Sequence, residues 1–99
     1  MLTITAIIRA QRGHDATMRK ALLDVAAYVQ ANEPETIGFF VSQDSADPCV
    51  FTTYERFTDQ AAMERHNGSP SSKGFFAVAK PILDGPVTLI TGTEAAAKT

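Results

Sequence analysis

Between Cys49 and Phe57 the chain alternates with a period of two, and it then passes almost directly into a helical pattern. Odd positions carry Phe51, Thr53, Glu55 and Phe57, and even positions carry Val50, Thr52, Tyr54 and Arg56. Such alternation among β-branched and aromatic residues predicts a strand with two unlike faces. Thr58 suits the N-cap of the following helix, and Asp59 puts a carboxylate in its first turn, facing the positive end of the dipole. Ala62, Met63 and His66 lie on this short helix, and Gly68 is expected to stop it in a left-handed conformation. The stretch holds aromatics, a carboxylate, an arginine and one of the two histidines, so chemistry is expected to start here.

The rest of the chain builds around it. Leu2 to Ala10 alternates and predicts a first strand, and Arg12-Gly13 a turn. Asp15 or His14 caps a helix whose apolar stripe is Met18, Leu22, Val25 and Val29, and Asn32-Glu33-Pro34 stops it, because proline biases its predecessor away from helix. Thr36 to Gln43 predicts the second strand, with Ile37, Phe39 and Val41 on one face. Ser69-Pro70 opens another helix carrying Phe75, Phe76, Val78, Ala79 and Ile82, and Pro81 ends or bends it. Val87 to Thr91 predicts the last strand. The domain is read as residues 1–92, with 93–99 a flexible tail that frays from Glu94.

The order is strand, helix, two strands, helical pair, strand. Helices on one face of a four-stranded antiparallel sheet make an α+β, ferredoxin-like sandwich. The other sheet face would carry Ile7, Phe40, Tyr54 and Ile90, and an uncovered apolar face predicts self-association, most simply a homodimer with two sheets face to face.

Composition excludes several function classes. A net charge of −2 leaves no electrostatic footprint for nucleic acid or an anionic membrane. No apolar run approaches the ~18 residues of a membrane span. The first residues lack a basic cluster and a small-residue cleavage site, so no signal peptide is read. One cysteine, Cys49, makes no internal disulfide; without a basic neighbour in sequence it reads as a small buried hydrophobe. A soluble cytoplasmic protein is the expectation.

Glu33-Pro34, Asp47-Pro48, Phe51, Tyr54-Glu55-Arg56-Phe57, Asp59, Ala61-Ala62, His66, Ser69-Pro70, Lys73, Phe75 and Pro81 fall in an order and spacing that resembles the antibiotic biosynthesis monooxygenase domain. The likeness spans roughly residues 1–92. It implies a dimeric α+β barrel with a pocket between each protomer's sheet and helices. Monooxygenases of this group, the small quinol monooxygenases among them, oxidise phenols, quinols or anthrone-like polyketides with O2 and without metal, flavin or haem. Other members degrade haem, isomerise small signalling molecules or have no assigned activity. Two departures stand out. Ser69-Pro70-Ser71 replaces a frequent Ser-Pro-His, and the haem-degrading positions hold Ala6, Phe57 and Phe76, so no iron ligand stands there.

Oxygenation without a cofactor needs a base, a donor for the developing anion and a dry cavity. His66 is one candidate base, because an imidazole titrates near neutral pH; the alternative is a helix-end histidine that complements the dipole. Glu55 is the other, if its face is the helix-covered one; the alternative is a structural carboxylate held by Arg56, Arg9 or a backbone amide. Phe39, Phe57, Phe75 and Phe76 read as pocket lining or ordinary core. Tyr54 lies opposite Glu55 and suits the barrel interface, with a hydroxyl-donor role toward substrate left open. Arg9 and Lys80 could steady an anion, solvated surface charges being the commoner reading, and His14 is read as exposed. Three functions are carried forward: a cofactor-free monooxygenase, an isomerase on the same scaffold, and a ligand-binding or stress-response dimer without chemistry.

Overall fold

The alternating segments become one antiparallel sheet. A computed structural model describes residues 1–99 as β1 (Leu2–Arg9), α1 (Asp15–Asn32), β2 (Thr36–Gln43), β3 (Val50–Phe57), α2 (Gln60–Asn67), α3 (Pro70–Ala79) and β4 (Thr88–Thr93). A 3-10 turn, Lys80–Ile82, follows α3, so Pro81 ends the α-helix as its missing N–H requires. The sheet order is β2-β3-β1-β4, the two central strands being β1 and β3. This is the ferredoxin-like α+β sandwich that the element order predicts. Gly13, in the turn read from sequence, and Gly85, in the turn before β4, take positive φ, where a side chain would be strained.

The helix-covered face holds the core. Ala6, Ile8, Met18, Leu22, Val25, Phe51 and Phe75 are among its buried residues, and Cys49 joins them as the small hydrophobe expected. A second cluster, Ile4, Phe57 and Ala62, sits under α2. On the open face Phe40, Tyr54 and Ile90 are exposed and Ile7 is half-buried.

Several local expectations are corrected. Asp59, not Thr58, is the N-cap of α2: its side chain accepts from the Ala62 N–H at 2.9 Å, while the Thr58 N–H is tied to the Glu35 carbonyl just before β2. Gly68 has φ of −90°, not a left-handed value. The next helix starts so soon that the Ser69 N–H turns back to the His66 carbonyl, which leaves no room for a left-handed stop. Residue Ile37 does not share a face with Phe39 and Val41; the register shifts between Thr36 and Gly38, leaving Ile37 as the extra, exposed residue of a β-bulge. The last strand runs to Thr93, and Glu94 does not fray: its N–H bonds to the Met1 carbonyl and its carboxylate to Arg56 and Tyr54.

Candidate functional site

The bulge in β2 determines how the site is assembled. With one residue inserted, Thr36 and Phe39 both face the helices although three positions apart, and each reaches a different side of the same cluster. Thr36 Oγ1 donates to Glu33 Oε1 at 2.8 Å, and the Phe39 ring packs on His66 with centroids 5.6 Å apart. Phe57 packs on His66 from β3 at 5.4 Å.

His66 is held between two carboxylates. Its Nδ1 lies 2.8 Å from Glu33 Oε1, and its Nε2 lies 3.1 Å from Glu55 Oε1. The other Glu55 oxygen accepts from the Thr53 hydroxyl at 2.8 Å. Both His66 and Glu55 are almost fully buried, 5% and 6% exposed. The backbone beneath His66 is fixed by Ser72, whose hydroxyl donates to the His66 carbonyl at 2.7 Å, and Ser69 caps α3 in turn. Burial of the imidazole works against its charge, but hydrogen bonds to Glu55 and Glu33 outweigh that, and its pKa lies above the ordinary histidine value. Neither alternative from sequence describes these groups: His66 does more than complement a dipole, and Glu55 is held by His66 and Thr53 rather than by an arginine.

Beside this cluster is a chamber of about 210 Å³ between the sheet and helices α1 and α3. Glu55 and His66 form part of its wall with Thr53, and the remainder is chiefly apolar, including Ile4, Ala6, Leu22, Val25 and Phe39. An apolar cavity of about 150 Å³ already holds benzene, so this one has room for a substituted aromatic ring. Phe76 and Leu89, both exposed, stand at its open side. No lysine or arginine lines it, Arg9 and Lys80 included.

Of the expected lining residues, Phe39, Phe75 and Phe76 are there. Phe57 is not; it is fully buried against Ile4 and Ala62 and supports His66 from behind. Tyr54 is not there either. Strand alternation sends it to the open face, where its hydroxyl donates to Glu94 Oε1 at 2.9 Å beside an Arg56–Glu94 ion pair with contacts of 2.5 and 3.1 Å. Donation to Glu94 stabilises the protonated phenol and raises its pKa, while Arg56 chiefly holds the Glu94 carboxyl below its usual range. No group of three His, Cys, Asp or Glu side chains is arranged to hold a metal ion.

Sequence reasoning missed the role of Glu33, taking it as part of a helix stop and of the family spacing but not as a site residue. One signal was present: a carboxylate at a helix C-terminus faces the negative end of the dipole, an unfavourable place without a cationic partner. His66 is that partner.

Fold and site together define a ferredoxin-like α+β protein with a histidine–carboxylate cluster in the wall of an apolar chamber. The chain belongs to the antibiotic biosynthesis monooxygenase family, whose profile matches residues 1–78. A protein of Pseudomonas aeruginosa is similar at 26% identity, with 96% of this chain and 94% of that one covered and a TM-score of 0.87. One from Mycobacterium tuberculosis has a TM-score of 0.89 at 15% identity, covering 99% of this chain and 98% of its own. Another from Caulobacter crescentus, provisionally named an antibiotic biosynthesis monooxygenase, has a TM-score of 0.88 at 23% identity, with coverage of 96% and 90%. Among curated proteins none matches the sequence. No helix is long and apolar enough to cross a membrane.

Proposed function

We propose that the protein is a cofactor-independent monooxygenase that oxidises a small phenolic, quinol or polyketide-like aromatic with O2, working as a homodimer. The observation that carries this reading is the Glu55–His66 pair set in the wall of a chiefly apolar chamber. Such a pair removes a proton where little else stabilises charge, and a dry wall protects radical and peroxide stages from water. The wall carries no lysine or arginine, and His66 is already engaged by Glu55 and Glu33, which favours a neutral guest over a phosphorylated or carboxylated one.

For a phenol the balance is phenol plus O2 giving quinone plus water. The hydroxyl proton passes to Glu55, backed by His66. The phenolate gives one electron to O2, and the radical and superoxide join as a peroxide on a ring carbon. Protonation of the outer oxygen, loss of the ring C–H proton and cleavage of the O–O bond then yield quinone and water. Both substrate protons end in the water, so the site must take protons and give them back. Phe39, Phe75 and Phe76 enclose the ring.

The open sheet face supports the homodimer, because Phe40, Tyr54 and Ile90 stand exposed on it around the Arg56–Glu94 pair.

The test is O2 uptake by purified, metal-free protein with a dihydroxynaphthalene, with sedimentation giving the assembly. Glutamine at His66 or Glu55 is expected to slow uptake by about 10²-fold, the scale of general acid–base catalysis. Glutamine is preferred to alanine at His66 because a truncated side chain would strand two buried carboxylates. A rate equal to autoxidation in buffer overturns the reading. Product formed under strict anaerobiosis instead identifies an isomerase, and thermal stabilisation by guests without product a binding protein.

A further inference from the structure

A chamber that removes a proton and later returns one needs a place to keep it. Glu55 and His66 line the chamber, and Glu33 does not. Glu33 lines two surface clefts at the end of α1 instead, one beside Tyr28 and Arg65 and the other beside Gln30 and Gly38, and neither cleft reaches His66 or Glu55. His66 alone joins the two carboxylates. The second Glu33 oxygen, Oε2, is buried and bonds to no protein group. Buried carboxylate oxygens are seldom left so, and this one keeps a free acceptor position for a further proton beside the clefts that Glu33 lines.

We infer that Glu55, His66 and Glu33 form a proton relay connecting the apolar chamber to the surface clefts at the end of α1, with Glu33 its solvent-side member. The relay belongs to these three side chains; only its use during turnover rests on the oxygenase reading. The relay runs from the neutral form of His66, reached when the imidazolium that the two carboxylates favour gives up its Nε2 proton; in that form Nδ1–H donates to Glu33 and Nε2 is bare. The guest's hydroxyl proton moves to Glu55 and on to Nε2, while the Nδ1 proton crosses to Glu33 and leaves by the cleft. The proton needed by the peroxide runs the opposite way: one enters at Glu33 and passes to Nδ1, and the Nε2 proton leaves through Glu55 to the outer peroxide oxygen. One proton out and one back restore the first tautomer, so the ring need not turn over between Phe39 and Phe57. Arg65, the cation of the Glu33 cleft, is engaged by Glu35 and does not hold Glu33 in place of His66.

Glu33 is thus a positioning and relay residue that never touches the guest, and its test must separate that role from a structural one. In protein labelled with ¹⁵N-histidine, exchange of the His66 ring N–H with water is measured by NMR in wild type and in Glu33→Gln. Exchange is expected to slow about tenfold or more, a difference of at least one decade in proton-transfer rate. In turnover, Glu33→Gln is expected to lower kcat with KM held within about twofold. Formate is expected to restore the rate of Glu33→Ala by occupying the vacated carboxylate position. Exchange unchanged in Glu33→Gln overturns the relay whatever the turnover. Slowed exchange in a protein whose wild type consumes no O2 above autoxidation overturns the oxygenase reading and leaves the relay standing. If Glu33→Gln fails to fold, Thr36→Val keeps all three ionisable groups but removes the hydroxyl that orients Glu33, and exchange is expected to slow about threefold; no change there overturns the relay.

Discussion

Replacing Ala6 by leucine tests whether the chamber is open space in solution. Ala6 is buried on β1, pairs with Thr53 and Leu89 on its two neighbours, and forms part of the chamber wall. Leucine adds three carbon atoms, and at about 0.8 kcal/mol per buried methylene the upper limit of the gain is about 2.4 kcal/mol. Lost rotamer freedom of about 0.5–1 kcal/mol brings the expected stabilisation to roughly 1.5 kcal/mol. For a domain of this size that is a Tm increase on the order of 6–12 °C. Were the space already filled, the same change would overpack the core and destabilise by about 1–3 kcal/mol. The sign therefore decides. The assay is urea and thermal unfolding at fixed protein concentration, with unchanged m confirming that the unfolding reaction is the same. The variant is also expected to lose quinol turnover, because the added carbons occupy the guest's volume. Destabilisation refutes the void; stabilisation with full turnover shows that the chamber is not where the reaction happens.

Three further outcomes follow from the contacts. Because the folded-state pKa of His66 lies above its unfolded value of about 6.5, its contribution to stability is fully present below that pH and is lost as pH rises through the folded value. Tm measured from pH 6 upward should therefore decline more in wild type than in His66→Gln, and equal slopes would contradict the cluster's electrostatics. Asp59→Ala is expected to destabilise by about 1 kcal/mol as a lost helix cap, and Thr58→Ala by clearly less; the reverse ranking in urea melts would place the cap at Thr58 after all. In a Tyr28→Phe background, Glu94→Gln should lower the pH at which Tyr54 ionises, followed by tyrosinate absorbance, since the hydrogen bond to Glu94 is the chief cause of the raised value. An unmoved midpoint would mean that the Tyr54–Glu94 hydrogen bond does not form in solution.

Much of this architecture is legible locally. Period-two alternation located the strands to within a residue or two, the Met18–Leu22–Val25–Val29 stripe located the helix, and Pro34 and Pro81 marked where helices end. Those features depend on neighbours in sequence, where sterics and hydrophobic periodicity act. Placing Glu55 with Phe51 and Phe57 on one face also followed from alternation, and the helices do cover that face.

What the sequence determined by itself is the set of elements, their order, and the two unlike faces of β3. Only the tertiary structure decided which side chains meet. The bulge at Ile37 breaks the alternation that sequence reading relied on, and it lets Thr36 and Phe39 converge on one cluster. Glu33 and His66 lie 33 residues apart, and Glu94 reaches Arg56 across 38. Pairings of that kind depend on how the sheet and helices close on each other, and electrostatic selection between distant carboxylates and a buried imidazole leaves no periodic trace along a chain.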